Sequence, residues 1–333
     1  MNWHVVGVGN ALMDALVIID NDELIDELRL NRGTMHPVDH DQWQAAFERV
    51  RDLDVVFDSG GSCANTIATV GRLGGRALYC GQVGQDQMGQ EYAAHITKSC
   101  GGHALRFLEG GNTGKCLSII SRADAERTML TDLGASVSLD DLGSFPGEIE
   151  RARVAHFTGY TLLGSPTRDV VTQAMAVAKA NGVKVSLDAA DPFVIDAIRD
   201  TFSTAVRDFA DIVFLNAEEA RALTGHADAV AAANAVADGF GVTTVVVKRG
   251  KDGSVVRHEG TLHDIAVHAV DAVDTTGAGD AYAGGFLYGL THGMPIEQAG
   301  RLASGVAGLT VSQIGAVVHD MDALAQVKAD IGG

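Results

Sequence analysis

The stretch Asp274-Thr275-Thr276-Gly277-Ala278-Gly279-Asp280 sets capping hydroxyls and carboxylates beside two glycines, just ahead of an apolar run that reaches Leu290. That order predicts a helix entrance. Its free N–H groups and dipole suit a phosphate, or the negative charge that builds up as a phosphoryl group moves. Asp280 falls in the first turn, where a carboxylate caps the helix or takes a proton from a bound ligand, and spacing leaves both roles open. Two rival phosphate motifs fail. A dinucleotide fingerprint needs Gly or Ala three positions after Gly279, where Tyr282 stands. A Walker-type loop at Gly114-Lys115 would need Gly in place of Glu109 and Ser or Thr in place of Cys116.

Other polar groups stand where strands should end. Val5-Val6-Gly7-Val8-Gly9 reads as a buried strand followed by Asn10 and Asp14, at the point where open α/β sheets keep ligands, although both residues also suit a turn. Ser59-Gly60-Gly61-Ser62-Cys63-Ala64-Asn65 opens a helix, with Asn65 placed either to bond a substrate hydroxyl or to satisfy the backbone. Asp86 reads as a simple cap. Asn216 and Glu219, three apart after the apolar run Ile212–Leu215, form either a capping pair or a holder for a hydrated metal ion. Lys248-Arg249-Gly250-Lys251-Asp252-Gly253 places three bases at a glycine-rich turn, a candidate for nucleotide phosphate in an acidic chain.

These groups need a scaffold. From Val154 onward strand-like and helix-like segments alternate, which predicts a parallel sheet covered on both faces. Residues 15–37 and 104–132 read instead as a small separate sheet, with a hairpin around Gly110–Gly114, and are expected to form a lid over a cleft. Gly284, Gly285 and Gly289 each cost about 1 kcal/mol against Ala within a helix, so close packing must explain them. No linker divides the chain, and residues 1–333 are expected to form one domain.

Composition narrows the function. Asp and Glu number 43 against 25 Lys and Arg, a net charge of −18, which opposes binding to nucleic acid or anionic membranes. No apolar run is long enough to span a bilayer. Cys63, Cys80, Cys100 and Cys116 lack metal-site spacing, and with no leader pattern before Trp3 the expectation is a cytoplasmic protein with reduced thiols.

Taken together, Gly60-Gly61 with Asn65, Val83-Gly84-Gln85-Asp86 with Gly89, Asn216 with Glu219, and Asp274–Asp280 resemble the PfkB carbohydrate kinase family, also called the ribokinase family. The resemblance implies a Rossmann-like, mainly parallel α/β sheet with helices on both faces and a small β lid. It also implies transfer of the γ-phosphoryl group of ATP, with Mg²⁺, to a hydroxymethyl group. By that likeness Asp280 is the base, and Gly277, Ala278 and Gly279 supply the anion hole. Asn10, Asp14, Gly60, Gly61, Asn65 and Arg127 would hold the acceptor, and Asn216, Lys248, Gly250 and Gly253 the ATP. Asn216 and Glu219 would reach Mg²⁺ through water, and Asp274 and Thr276 would lie beside a monovalent cation such as K⁺.

Gly9–Asp14, Ala125–Met129 and Leu133–Ser136 are similar to bacterial members labelled adenosine kinase. A nucleoside acceptor leads, with fructose, ribose or 2-keto-3-deoxygluconate as the alternative and a non-catalytic nucleotide- or sugar-binding protein as the rival class. Either a monomer or a homodimer is consistent with the sequence.

Overall fold

The computed structural model describes residues 3–124 and 126–332. Ala125 of the Ala125–Met129 motif, and the residues before Trp3 that bear on a leader, lie outside the described residues. Strands follow in the order β1 (Trp3–Val8), β2 (Leu12–Ile19), β3 (Met35–Pro37), β4 (Val56–Gly60), β5 (Ala77–Gly84), β6 (His103–Leu108) and β7 (Gly114–Ser121). Then come β8 (Arg127–Asp132), β9 (Ala152–Thr158), β10 (Lys184–Asp188), β11 (Ile212–Asn216), β12 (Thr244–Lys248), β13 (Ser254–His258) and β14 (Thr261–Ile265).

Nine of them form one sheet in the order β14-β13-β12-β11-β10-β9-β1-β5-β6. It is parallel from β12 to β6, and β13 and β14 add an antiparallel edge. Two apolar clusters flank this sheet, as parallel strands buried on both faces require. Runs such as Val245-Val246-Val247 are accordingly apolar without alternation. Ligands collect at the carboxyl ends of such strands, and Asn10, Asp188, Asn216 and Lys248 all stand there.

The second sheet has the order β3-β8-β7-β2-β4 and obeys the period of two. On β2, Ala15, Val17 and Ile19 pack with Trp43 of the helix His40–Phe47, while Asp14, Leu16 and Ile18 face the opposite way, into a cavity against the main body. A helix thus covers the outer face, and the inner face is left for a ligand.

This sheet differs from the expected lid in two ways. Residues 103–108 pair in parallel with β5 at the edge of the main sheet, so they are no part of it. The helix Gln87–Cys100 between β5 and β6 makes the crossover that parallel pairing needs, and the Gly110–Gly114 turn hands the chain from one sheet to the other. Val56–Gly60 joins instead, antiparallel to β2.

The glycines of the helix Ala278–Thr291 are close-packed. A methyl group on Gly284 would stand 2.6 Å from Thr69 Cβ and 2.8 Å from the Thr66 carbonyl, both on the helix Ser62–Arg72. On Gly285 and Gly289 it would come within 2.8 and 2.9 Å of the Ala303 and Ala299 Cα atoms on the helix Ile296–Val311.

Candidate active site

Asp280 lies in the first turn of Ala278–Thr291, with Gly277 as N-cap at φ 70°, a conformation that favours glycine. The Gly277 side is closed by Ala316, whose carbonyl would sit 2.5 Å from any Cβ there. The Asp280 carboxylate does not cap its own helix. Ser62 Oγ donates to its Oδ1 at 2.6 Å and Asn65 Nδ2 to its Oδ2 at 2.9 Å, both from the start of the neighbouring helix. Thr66 Oγ1 also donates to the Asp280 carbonyl, at 3.2 Å. Burial raises the Asp280 pKa to about 6, against the lowering effect of the Ser62 and Asn65 hydrogen bonds. The group is therefore a base of useful strength near neutral pH.

Asp280 lines one cavity and is bonded through Asn65 to the wall of a second. The larger, about 740 Å³, is lined by Gly277, Ala278, Gly279 and Asp280 and by Asn216, Glu219, Lys248, Gly250 and Gly253. Its far wall is apolar: Ala307, Gly308 and Val311 of Ile296–Val311 face Val267 and Val270. Ser304 pins that segment by accepting from His268 N–H and donating to the Ala266 carbonyl. Lys248 Nζ pairs with Asp188 at 3.0 Å and stands 3.1 Å from where a Gly279 Cβ would be, so a buried ammonium overlooks the glycine loop. Burial alone would lower the Lys248 pKa, but Asp188 and Glu219 outweigh it and hold the ammonium charged.

The sequence left Asn216 and Glu219 between cap and metal holder, and the cap is present. Asn216 accepts from Glu219 N–H at 2.8 Å, while the two Glu219 oxygens accept from the Asn216 backbone and side-chain N–H groups at 2.7 Å each. Among the described residues no group of three or more His, Cys, Asp or Glu is gathered as a metal cluster. The donor set still fits hydrated Mg²⁺ carried by phosphate oxygens, which asks for one or two carboxylates at water distance, since Glu219 and Asp188 both line the cavity.

The smaller cavity, about 420 Å³, lies beneath the small sheet and is lined by Asp14, Asp58, Asn65 and Arg127 among others. Asp14 and Asp58 stand directly opposite each other on β2 and β4. Burial raises the Asp14 pKa to about 7, with Arg127 opposing and Asp58 and Asp280 adding to the rise. Gly60 makes room for Asp14, whose carboxylate oxygen lies 2.1 Å from a Cβ placed there. Gly61, at φ 95°, brings its Cα against the Asn10 carbonyl. The side chain of Asn10 is not on either cavity wall, yet its Oδ1, like that of Asn65, is buried without a hydrogen-bond partner among the described residues.

Arg127, on the wall of the smaller cavity, is also joined to Asp274, which the sequence places at a different ligand. Arg127 Nη2 is 2.7 Å from Asp274 Oδ2, with side chains 9% and 4% exposed. Asp274 also accepts from Thr276 N–H and Gly315 N–H, at 3.0 Å each. Lys115 of the rejected Walker motif is buried in an ion pair with Asp132, far from a phosphate role. Asp86 caps its helix through Gly89 N–H and also holds Thr113. Sequence reasoning passed over Ser62, Asp58 and Asp188. For Asp188 the signal was available, a carboxylate at the carboxyl end of the strand Lys184–Asp188.

A mainly parallel α/β sheet with a small β cover, a glycine-rich helix entrance and a carboxylate that lines one cavity and is bonded to the wall of a second defines a kinase-type fold and site. Residues 35–323 match the family described as pfkB family carbohydrate kinase, and the chain belongs to that family. It is thus a phosphotransferase with an alcohol group as acceptor. Adenosine kinase from Sinorhizobium meliloti has the same ribokinase-like fold, with a TM-score of 0.88, 31% identity and 99% and 100% of the two chains covered. Adenosine kinase of Saccharomyces cerevisiae is 28% identical over 95% of this chain and 96% of its own. The 5-dehydro-2-deoxygluconokinase of Geobacillus thermodenitrificans is 29% identical over 76% of this chain and 78% of its own.

Proposed function

We propose that this kinase transfers the γ-phosphoryl group of ATP to the hydroxymethyl group of a nucleoside, with Asp280 as general base. The observation that carries the reading is the place of Asp280 on the wall of one cavity and bonded to Asn65 on the wall of the other. ATP would fill the larger cavity, its base against Ala307, Gly308 and Val311 and its phosphates toward Gly277–Gly279 and Lys248. The acceptor hydroxyl would face Asp280, which takes its proton as the new O–P bond forms and the bond to ADP breaks. Phosphoryl transfer asks little covalent work of a protein, so the helix entrance and Lys248 carry charge stabilisation. The first N–H groups of a helix have no intrahelical acceptor, although that of Ala278 leans to the Thr275 carbonyl at 3.3 Å. Mg²⁺ bound to the phosphates would neutralise part of their charge, with Glu219 and Asp188 reaching its waters.

The acceptor cavity favours a neutral, partly flat ligand. Asp14, Asp58 and Asn65 offer hydrogen bonds to hydroxyls, and Leu16, Ile18, Val56 and Ile314 add apolar surface among them. A nucleoside presents a ribose for the former and a ring face for the latter. A sugar acid would bring its carboxylate toward Asp14, Asp54 and Asp58, with Arg127, ion-paired to Asp274, and Arg122, in an exposed pair with Asp20, as the cations on the same wall. The test is initial-rate ADP formation with adenosine, other nucleosides, fructose, ribose and keto-sugar acids. Adenosine or a related nucleoside is expected to give the highest kcat/KM. A sugar acid preferred by an order of magnitude would refute the nucleoside reading and leave the kinase standing.

A further inference from the structure

The kinase resemblance carries a monovalent cation beside Asp274 and Thr276, and the residues there do not fit one. Asp274 is the carboxylate such an ion would need, and both of its oxygens are engaged. Oδ1 holds the Thr276 N–H; Oδ2 holds the Gly315 N–H and faces the Arg127 guanidinium at 2.7 Å. A buried carboxylate needs one compensating charge, and the Arg127 guanidinium supplies it. A K⁺ ion at a further 4 Å or so from that guanidinium would bind about 10³-fold more weakly, taking an effective dielectric constant of about 20.

The origin of this charge matters as much as its sign. Arg127 is the first residue of β8, in the small sheet, whereas Asp274 opens the loop that leads through Thr276 to Gly277–Gly279 in the main body. The ion pair is thus a bridge between the acceptor's cover and the anion-binding entrance.

We propose that Arg127 substitutes for the monovalent cation, so that this kinase turns over independently of K⁺ and its anion hole is ordered by the small sheet in the closed position. Arg127 is a positioning residue in this scheme, acting on the transferred group through Asp274 and the 274–279 loop. The inference rests on the kinase reading, but parts of its test do not.

The experiment compares turnover in potassium, sodium and choline chloride at constant ionic strength, and measures amide hydrogen exchange in residues 275–279. The unaltered protein should show kcat equal in the three salts within about twofold. Arg127→Ala should lower kcat by about 10-fold or more, speed exchange in 275–279, and become stimulated several-fold by K⁺, which can then approach Asp274. Arg127→Lys, with a smaller cation, should lie between. A strong K⁺ requirement in the unaltered protein overturns the proposal, and this arm needs no variant to fold. So does an Arg127→Ala protein with unchanged exchange in 275–279, or one equally slow in all three salts. If no acceptor supports ATP turnover, the kinase reading fails, while the exchange arm still reports whether Arg127 orders the loop.

Discussion

Replacing Asp280 with Asn separates its chemistry from its packing. Asn keeps the shape: its amide oxygen can retain the bond from Asn65, and its NH₂ can turn to Ser62, whose hydroxyl is able to accept. It has no basicity, so kcat should fall by roughly 10²–10⁴, the range for loss of a general base. Stability should move the other way. The native carboxyl titrates near 6 rather than 3.8, so the folded protein binds this proton more tightly than the unfolded chain does. Its contribution is therefore fully present below pH 3.8 and lost as pH rises through about 6. Holding the carboxyl at about 6 rather than 3.8 corresponds to about 3 kcal/mol, an upper figure for what the neutral amide regains above pH 7. At about 2.1 cal/mol/K per residue, a chain of 333 residues unfolds with an entropy near 0.7 kcal/mol/K, so the gain in Tm is about 4 °C. Steady-state kinetics at saturating substrates and melting curves at pH 4 and pH 8 make the assay. Near-normal turnover would refute the base assignment, and an equal Tm difference at both pH values would refute the buried-charge argument.

Three further outcomes are expected. The kcat/KM of the unaltered enzyme should rise about tenfold per pH unit below about pH 6 and level off above it, as Asp280 loses its proton; a limb centred well away from 6 would point to another base. Gly279→Leu should weaken ATP binding and kcat together by about 10² or more, because its side chain would be directed at Lys248 Nζ, 3.1 Å from the Cβ position; isothermal titration with ATP checks the binding half. Acceptor binding should slow hydrogen exchange in residues 12–19, 56–60 and 114–132, and unchanged exchange at saturating acceptor would count against closure of the small sheet.

The helix entrance at Gly277–Asp280 was legible because its chemistry is local, glycines and an acid within one turn, although Gly277 is the N-cap and none of the expected side chains caps the helix. Asn216 with Glu219 was legible for the same reason, as a reciprocal cap. The main sheet could be read from apolar runs because burial on both faces removes alternation. Arg127 and Asp274 could not be joined from sequence, since 147 positions separate them and their contact depends on how the small sheet lies over the body. The misplaced lid boundary has a similar origin. Glycines at 110, 111 and 114 specify a turn but not which sheet receives the strands on either side, and the preceding helix decided that for β6. Ser62 escaped notice because a hydroxyl at a helix start is ordinarily a cap, and only the neighbouring helix shows whom it serves.

The seam of Gly284, Gly285 and Gly289 has a mechanical consequence. The helix that carries Asp280 meets its two neighbours with no side chain of its own at these positions and less than a methyl group of clearance at each contact. Long side chains between helices can hop rotamers and let the separation drift, whereas a glycine backbone set against Thr66, Thr69, Ala299 and Ala303 has little such freedom. The helix gives up about 3 kcal/mol of intrinsic propensity over three positions. In return its distance from Thr66, and hence from the Ser62 and Asn65 turn that holds the base, is fixed by stiff geometry. A proton acceptor must stay within a few tenths of an ångström of its hydrogen-bond distance to work, and this seam supplies that constancy through the absence of side chains.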